Sequence, residues 1–282
     1  MKNFELALSP EEAASEKKIS DALRKQLGLV FSDTLRYSIL KRSIDARSRE
    51  VKVRLIVAAA INEELPEKKF EQRQLKNISN AKPVVIIGCG PAGMFAAIRL
   101  IELGYKPIII ERGKNVKDRR RDIAALNRKG IVDPDSNYCF GEGGAGTYSD
   151  GKLYTRSGKR GSIKKILETL IQFGAKEAIA IDAHPHIGTN KLPAIIENIR
   201  NCILECGGEI LFGTRFTSFE LNGNKIKGVR TKTVMLSEAD TFIPCETVIL
   251  ATGHSARDVY EYFYHNNFIL EAKPFALGVR IE

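Results

Sequence analysis

The segment that most constrains this chain is Gly88-Cys89-Gly90-Pro91-Ala92-Gly93, set directly behind the apolar run Val84-Val85-Ile86-Ile87. A short continuous apolar run suits a strand buried on both faces of a parallel sheet. Three glycines at this spacing suit a strand that turns sharply into a helix. The first allows the tight turn, the second lets a pyrophosphate approach the backbone, and the third permits close helix-to-strand packing. Pro91 fits the first helical turn, where its missing N–H is not needed. The helix start aims unpaired amides and the positive end of its dipole at an anion. A helical segment ending at Gly104 leads to a second apolar run, Pro107 to Ile110, so a β-α-β unit is predicted. Glu111 closes it, 18 residues after Gly93. An acid there can accept hydrogen bonds from the adenosine ribose hydroxyls and repels a 2′-phosphate. Gly88, Gly90, Pro91, Ala92, Gly93 and Glu111 therefore read as a site for FAD or NAD rather than NADP, with Arg112 beside the acid.

A second glycine-rich stretch runs from Phe140 to Leu153 and holds Gly141, Gly143, Gly144, Gly146 and Gly151. Each glycine lowers the stability of a helix or strand interior by about 1 kcal/mol, so this is a loop. Its backbone can approach a flat ring or a phosphate, and successive amides can form an anion nest. Gly143, Gly144, Ala145, Gly146, Ser149, Asp150 and Gly151 are the candidates here, against a plain surface linker anchored by Phe140, Tyr148 and Leu153. The apolar strand Thr247 to Ala251 ends in Ala251-Thr252-Gly253, small residues that let a dinucleotide lie close to a strand's carboxyl end.

The first 65 residues form a separate pattern. Phe4 to Leu8 alternates as a strand, and Ser9-Pro10-Glu11-Glu12 offers a capping serine, a first-turn proline and a glutamate three residues on. One helix is predicted from there to Gly28, followed by strands near Leu35 to Leu40 and Val51 to Ala60. The predicted domains are a small α+β (β-α-β-β) module at 1–65, a polar connector at 66–82 with room for one helix, and an α/β domain at 83–282. In the last, helices are expected over Gly161 to Gly174 and Lys191 to Cys206. A pair of strands across Glu209 to Lys232 should turn at Asn222-Gly223-Asn224.

Composition narrows the function classes. The charge is +10, from 44 Lys and Arg against 34 Asp and Glu. The longest apolar run, Leu55 to Ile61, is far short of the ~20 residues that cross a bilayer, so no membrane span is expected. With no export signal in view, the cytoplasm is the expected compartment. Five widely spaced cysteines do not form a disulfide framework. Cys202 and Cys206 share a helix face, and His184-Pro185-His186 is a second pair, but neither has a matching partner pair, and no metal is expected. The run Lys117-Asp118-Arg119-Arg120-Arg121 admits a nucleic-acid patch or a solvated helix start. With aromatics at 7% and no Trp, nucleic acid is the weaker reading.

Taken together, the strand, glycine turn, helix, second strand with Glu111-Arg112, interposed β-meander and Ala251-Thr252-Gly253 resemble the flavoproteins of the glutathione-reductase type. More narrowly, Phe140 to Leu153, Ala251 to Asp258 and Pro274 to Glu282 resemble the uncharacterised bacterial FAD-dependent dehydrogenase family, as does the leading module with Lys41 to Arg47. The resemblance implies an FAD/NAD(P)-binding Rossmann-like domain with an inserted β-meander, preceded by the small α+β domain. It implies FAD as cofactor, NAD(P)H as an admissible electron donor, a small-molecule substrate, and Arg119 reaching the pyrophosphate. Members of that family run on past this length to a C-terminal Gly-Asp segment at the flavin, so the chain reads as an N-terminal portion. Two functions stay open: an FAD-dependent oxidoreductase, or a non-catalytic dinucleotide-binding or interaction module. Neither catalytic residues nor oligomeric state follow from the residues.

Overall fold

The computed structural model describes residues 2–66, 70–155, 161–188, 190–234, 240–274 and 278. In chain order the strands are β1 (Lys2–Leu8), β2 (Leu35–Asp45), β3 (Lys52–Ile61), β4 (Pro83–Ile87), β5 (Lys106–Ile110), β6 (Glu209–Leu211), β7 (Thr214–Asn222), β8 (Lys225–Thr233), β9 (Thr241–Pro244) and β10 (Val248–Leu250). The α-helices are α1 (Pro10–Ala13), α2 (Glu16–Leu27), α3 (Pro91–Glu102), α4 (Val116–Lys129), α5 (Ile163–Gln172), α6 (Leu192–Glu205) and α7 (Arg257–His265). The chain forms two compact units, residues 1–74 with 146–198 and residues 75–145 with 199–282. The stretch expected to be one domain, 83–282, is thus distributed over both.

In the first unit β1, β3 and β2 form an antiparallel sheet in that order. Strand alternation puts Leu6, Leu8, Leu55 and Val57 on the face that buries Ile19 and Leu23 of α2. The single helix expected after Ser9 is two. Ser9 and Glu12 make a reciprocal capping box for α1, but Ser15 accepts from the Lys18 amide and starts α2 afresh. A serine is a strong N-cap wherever it falls, so the second one breaks the run. Gly28, with φ 63°, ends α2 in the left-handed conformation expected of it. β2 continues past Leu40 through a bulge between Ile39 and Lys41. Its charged half reads poorly as strand in sequence because β-propensity is mostly packing. Further along, the Arg42 amide donates to the Ile181 carbonyl (2.9 Å) and its guanidinium pairs with Asp182 (2.7 Å). The connector shows no helix among its described residues.

The second unit is mixed α/β. A parallel sheet runs β10-β4-β5-β6, with Val85 opposite Val248 and Ile108 opposite Glu209. α3 connects β4 to β5, the β-α-β arrangement expected from the glycine turn. β6 departs from expectation. It pairs with β5, while Gly213 at φ 62° turns the chain so that only β7, β8 and β9 form the antiparallel sheet. Among the described residues β10 is an edge strand, with Leu250 46% exposed despite the apolar run. Val85, Ile87 and Ile110 pack with Phe216, Val229 and Val259 in one core. The closing strand expected near Glu282 lies mostly outside the described residues. Among the described residues no helix is long and apolar enough to cross a membrane.

Candidate functional site

The carboxyl ends of β4, β5 and β10 open on a cleft of about 630 Å³ within the second unit. Gly88, Gly90, Pro91 and Ala92 line it after β4, Glu111 and Arg112 after β5, and Ala251, Thr252 and Gly253 after β10. Gly144 and Ala145 complete the wall from the glycine-rich loop. α3 begins at this wall with Pro91 at its first position, no side-chain cap on Gly90 and no acidic residue in its first turn. Its positive end is therefore left without a counter-charge of its own.

The three glycines of the turn have different neighbours. Gly88 has φ 107°, and a Cβ there would run into the Ala251 carbonyl. A Cβ on Gly93 would run into the Gly88 carbonyl, which is the close helix-to-strand approach expected at that position. On Gly90 it would meet nothing nearer than the Gly144 Cα at 3.9 Å. The first and third glycines are demanded by the protein, whereas the space over the second belongs to the cleft.

Glu111 is only 5% exposed. Its Oε2 accepts from the Cys89 amide (2.7 Å), and its Oε1 accepts from the amides of Gly113 (2.8 Å) and Gly141 (3.0 Å). A carboxylate offers about four acceptor sites. Glu111 thus ties the turn, the end of β5 and the glycine-rich loop together while still lining the cleft. A further tie runs from the Gly143 amide to the Cys89 carbonyl (2.8 Å). Burial, with Glu111 and Glu142 nearby, pushes the Cys89 thiol well up, so it stays protonated.

Arg112 lines the cleft with its guanidinium 4.4 Å over the Phe140 ring and ion-paired to Asp258. Arg119, expected to reach the pyrophosphate, lies behind the loop. It is completely buried and absent from the cleft lining, and its guanidinium donates to the carbonyls of Asn137 (2.9 Å), Glu142 (2.7 Å) and Tyr138 (3.1 Å). It sits one turn into α4, whose N-cap is Asn115, and from there it gathers the loop's carbonyls.

The loop also divides. Gly141, Gly144 and Ala145 line the cleft; Gly143 supports it through its amide; Gly146, Ser149, Asp150 and Gly151 belong to the other unit. Ser149 donates its hydroxyl to the Gly146 carbonyl (2.7 Å) and accepts from the Gly151 amide (3.1 Å), and Asp150 pairs with Lys152 (3.2 Å). Gly151 has φ 65° with Ile187 against it.

Sequence reasoning gave Asp258, Val259 and Phe263 no place at the site and read Phe140 only as an anchor of the loop. The i,i+4 spacing of Val259 and Phe263 on α7 was the available signal. His254, directly after Ala251-Thr252-Gly253, lies on the cleft with Nδ1 2.7 Å from the Ser255 Oγ. Cys202 is half-buried on α6, its thiol pushed up to about 11 by burial and then by Cys206. Among the described residues no three His, Cys, Asp or Glu side chains are placed to hold a metal ion.

Residues 1–60 match the family model of a domain of unknown function (DUF8436). An uncharacterized protein of Clostridium beijerinckii (strain ATCC 51743 / NCIMB 8052) is 38% identical over 296 residues, which cover 99% of this chain and 53% of that protein. The chain thus spans about half the length of this relative. Among solved structures, Thermovibrio ammonificans THI4 is similar at 17% identity and a TM-score of 0.44, over 67% of this chain and 64% of that one. A flavoprotein/dehydrogenase from Cytophaga hutchinsonii is similar at 13% identity and a TM-score of 0.37, over 64% and 42%. A 3-ketosteroid-delta4-(5alpha)-dehydrogenase from Rhodococcus jostii RHA1 is similar at 13% and 0.37, over 60% and 45%.

Proposed function

We propose that this chain is part of an FAD-dependent oxidoreductase acting on a small molecule, and that its second unit holds the ADP half of the cofactor in a Rossmann-like arrangement. The observation that carries this reading is the open space over Gly90, between an uncapped helix start and the small residues Ala251, Thr252 and Gly253. Gly90, Ala92, Gly144 and Ala145 would receive the pyrophosphate, where backbone amides and the α3 dipole favour negative charge. Glu111 would receive the ribose with the acceptor capacity its three amide donors leave. Its charge disfavours a 2′-phosphate. When bound, a flavin supplies the electron transfer itself, and the protein supplies orientation and electrostatics.

The test is titration of the whole chain with ADP, FAD, NAD and NADP. ADP and FAD should compete for one site and NADP should bind more weakly. Gly90→Val should abolish binding with little loss of stability, because the added side chain fills ligand space and meets no protein atom closely. Wild-type chain that binds no adenine dinucleotide, or Gly90→Val that binds as well as wild type, would overturn the reading.

A further inference from the structure

We infer that Glu142 and Arg200 are positioning residues that set the pyrophosphate side of the cleft by fixing the glycine-rich loop from behind. This rests on the reading of the cleft as a dinucleotide site. Glu142 is completely buried and Arg200 keeps 14% of its side chain exposed. A carboxylate is rarely taken fully out of water unless it is paired and hydrogen-bonded. One oxygen, Oε2, serves two donors: the Val116 amide in the first turn of α4 (2.7 Å) and the Arg200 guanidinium (2.7 Å). An anion at a helix start that also meets an arginine combines dipole stabilisation with a charge-assisted bond.

The main chain of Glu142 is held as firmly. Its amide donates to the Lys114 carbonyl (3.1 Å), and its carbonyl accepts from Arg119 (2.7 Å). Gly141 and Gly143 on either side have φ of 119° and 78°, which lets the backbone reverse around one inward-pointing side chain. That reversal presents Gly141, Gly144 and Ala145 to the cleft. The loop has little freedom to drift without consequence. A Cβ on Gly144 would lie 3.1 Å from Pro91 Cδ and 3.4 Å from Gly90 Cα, so the loop borders the very space a pyrophosphate would take. Glu142 itself does not line the cleft; it acts through the loop.

A residue that merely stabilised the fold would, when removed, weaken every ligand alike by lowering the folded fraction. A residue that positions this wall weakens ligands in proportion to what they place against it. The experiment uses the full chain as wild type, Glu142→Ala, Arg200→Met and the double variant. ADP and adenosine affinities are measured on each, together with hydrogen exchange at the loop amides of the ligand-free protein. In Glu142→Ala we expect ADP affinity to fall about tenfold or more, as misplaced contacts do, with adenosine affinity nearly unchanged. The amides of Gly141 and Gly143 should exchange faster while those of the β7-β8-β9 sheet do not change. The double variant should be no worse than Glu142→Ala, since both residues act through one tie. Arg200→Met, at the more exposed end of the pair, gives the same readout if Glu142→Ala does not fold. Equal losses for ADP and adenosine, additive losses in the double variant, or unchanged ADP affinity would overturn the inference. Wild-type chain that binds neither ligand would instead remove the dinucleotide reading on which it rests.

Discussion

The two glycine-rich segments of this chain owe their glycines to different causes. In the Gly88–Gly93 turn, two of the three glycines are fixed by protein atoms, Gly88 by the Ala251 carbonyl and Gly93 by the Gly88 carbonyl, and only Gly90 faces open space. In the loop from Gly141 onward, Gly141 packs against the buried side chain of Arg119, Gly144 borders the cleft, and Gly146 has nothing nearer than the Ser149 hydroxyl at 4.0 Å. Glycine content alone therefore does not identify a ligand site. What sets Gly90 apart is that the space over it lies in the cleft, at an uncapped helix start and beside the carboxyl ends of β4 and β10.

That difference sorts the effects of substitution. The largest loss of stability should come at Gly93. In Gly93→Val the helix and strand must part or the Gly88 carbonyl must move, and a forced overlap with backbone costs about 3 kcal/mol or more. Urea unfolding should show a sharply lowered midpoint. A midpoint close to that of wild type would mean that the α3 and β4 backbones are not in the contact described.

Arg119→Met comes next. The substitution keeps much of the buried volume but leaves the carbonyls of Asn137, Tyr138 and Glu142 without the guanidinium that now serves them. Stranding the buried Glu142 carbonyl and taking the donor from two part-buried ones should cost about 3 kcal/mol. Thermal unfolding tests the size of the loss. If Arg119 instead met the cofactor directly, the variant would lose ADP affinity while its melting temperature held.

Glu111→Ala should be smaller and should show in both stability and binding. Three amides lose their acceptor, but water can enter from the cleft to serve them, so a stability loss of about 2 kcal/mol is expected, with weakened ADP binding. Read from sequence, Glu111 is a ribose ligand whose loss touches the adenosine end alone. The structure shows that its carboxylate also joins Cys89, Gly113 and Gly141. Calorimetry on the variant separates the two: weakened binding at full stability would return Glu111 to the simpler role.

What the sequence made legible was whatever depends on near neighbours. The apolar runs at Val84 and Pro107, the glycines between them and the acid after Ile110 all lie within one supersecondary unit, and the structure forms that unit in register, Pro83 opposite Lys106 through Ile87 opposite Ile110. The small module was legible for the same reason, apart from the second capping serine at Ser15. Contacts that join distant segments were not legible. Glu209–Leu211 has the same alternation as its neighbours, and only its pairing with β5 decides which sheet it joins. Arg119 stands in a run of cations whose other members face solvent; its spacing with Val116 and Ile123 puts it on the inward face of α4, but the carbonyls it serves come from a distant loop. Glu142 looks like any loop glutamate until α4 and α6 close over it.

The smallest effect is predicted at Gly146, and it separates the two halves of the loop most directly. From sequence, Gly144 and Gly146 look equivalent, since each stands one residue from Ala145 in the same run. In the structure Gly144 has φ 69° and borders Pro91 and Gly90, whereas Gly146 has no positive φ and an open Cβ position. Gly146→Ala should therefore change stability by no more than about 0.5 kcal/mol, and in a direction set by the reduced freedom of the unfolded chain. ADP affinity should not change. Gly144→Ala has to hold a side chain in the left-handed region at a cost of about 1 kcal/mol and to press on Pro91, so its ADP affinity should fall. Running both variants through one titration and one melt decides the matter. Equal loss of ADP binding in the two would show that the loop acts on the ligand along its whole length and that the division at Ala145 has no functional meaning.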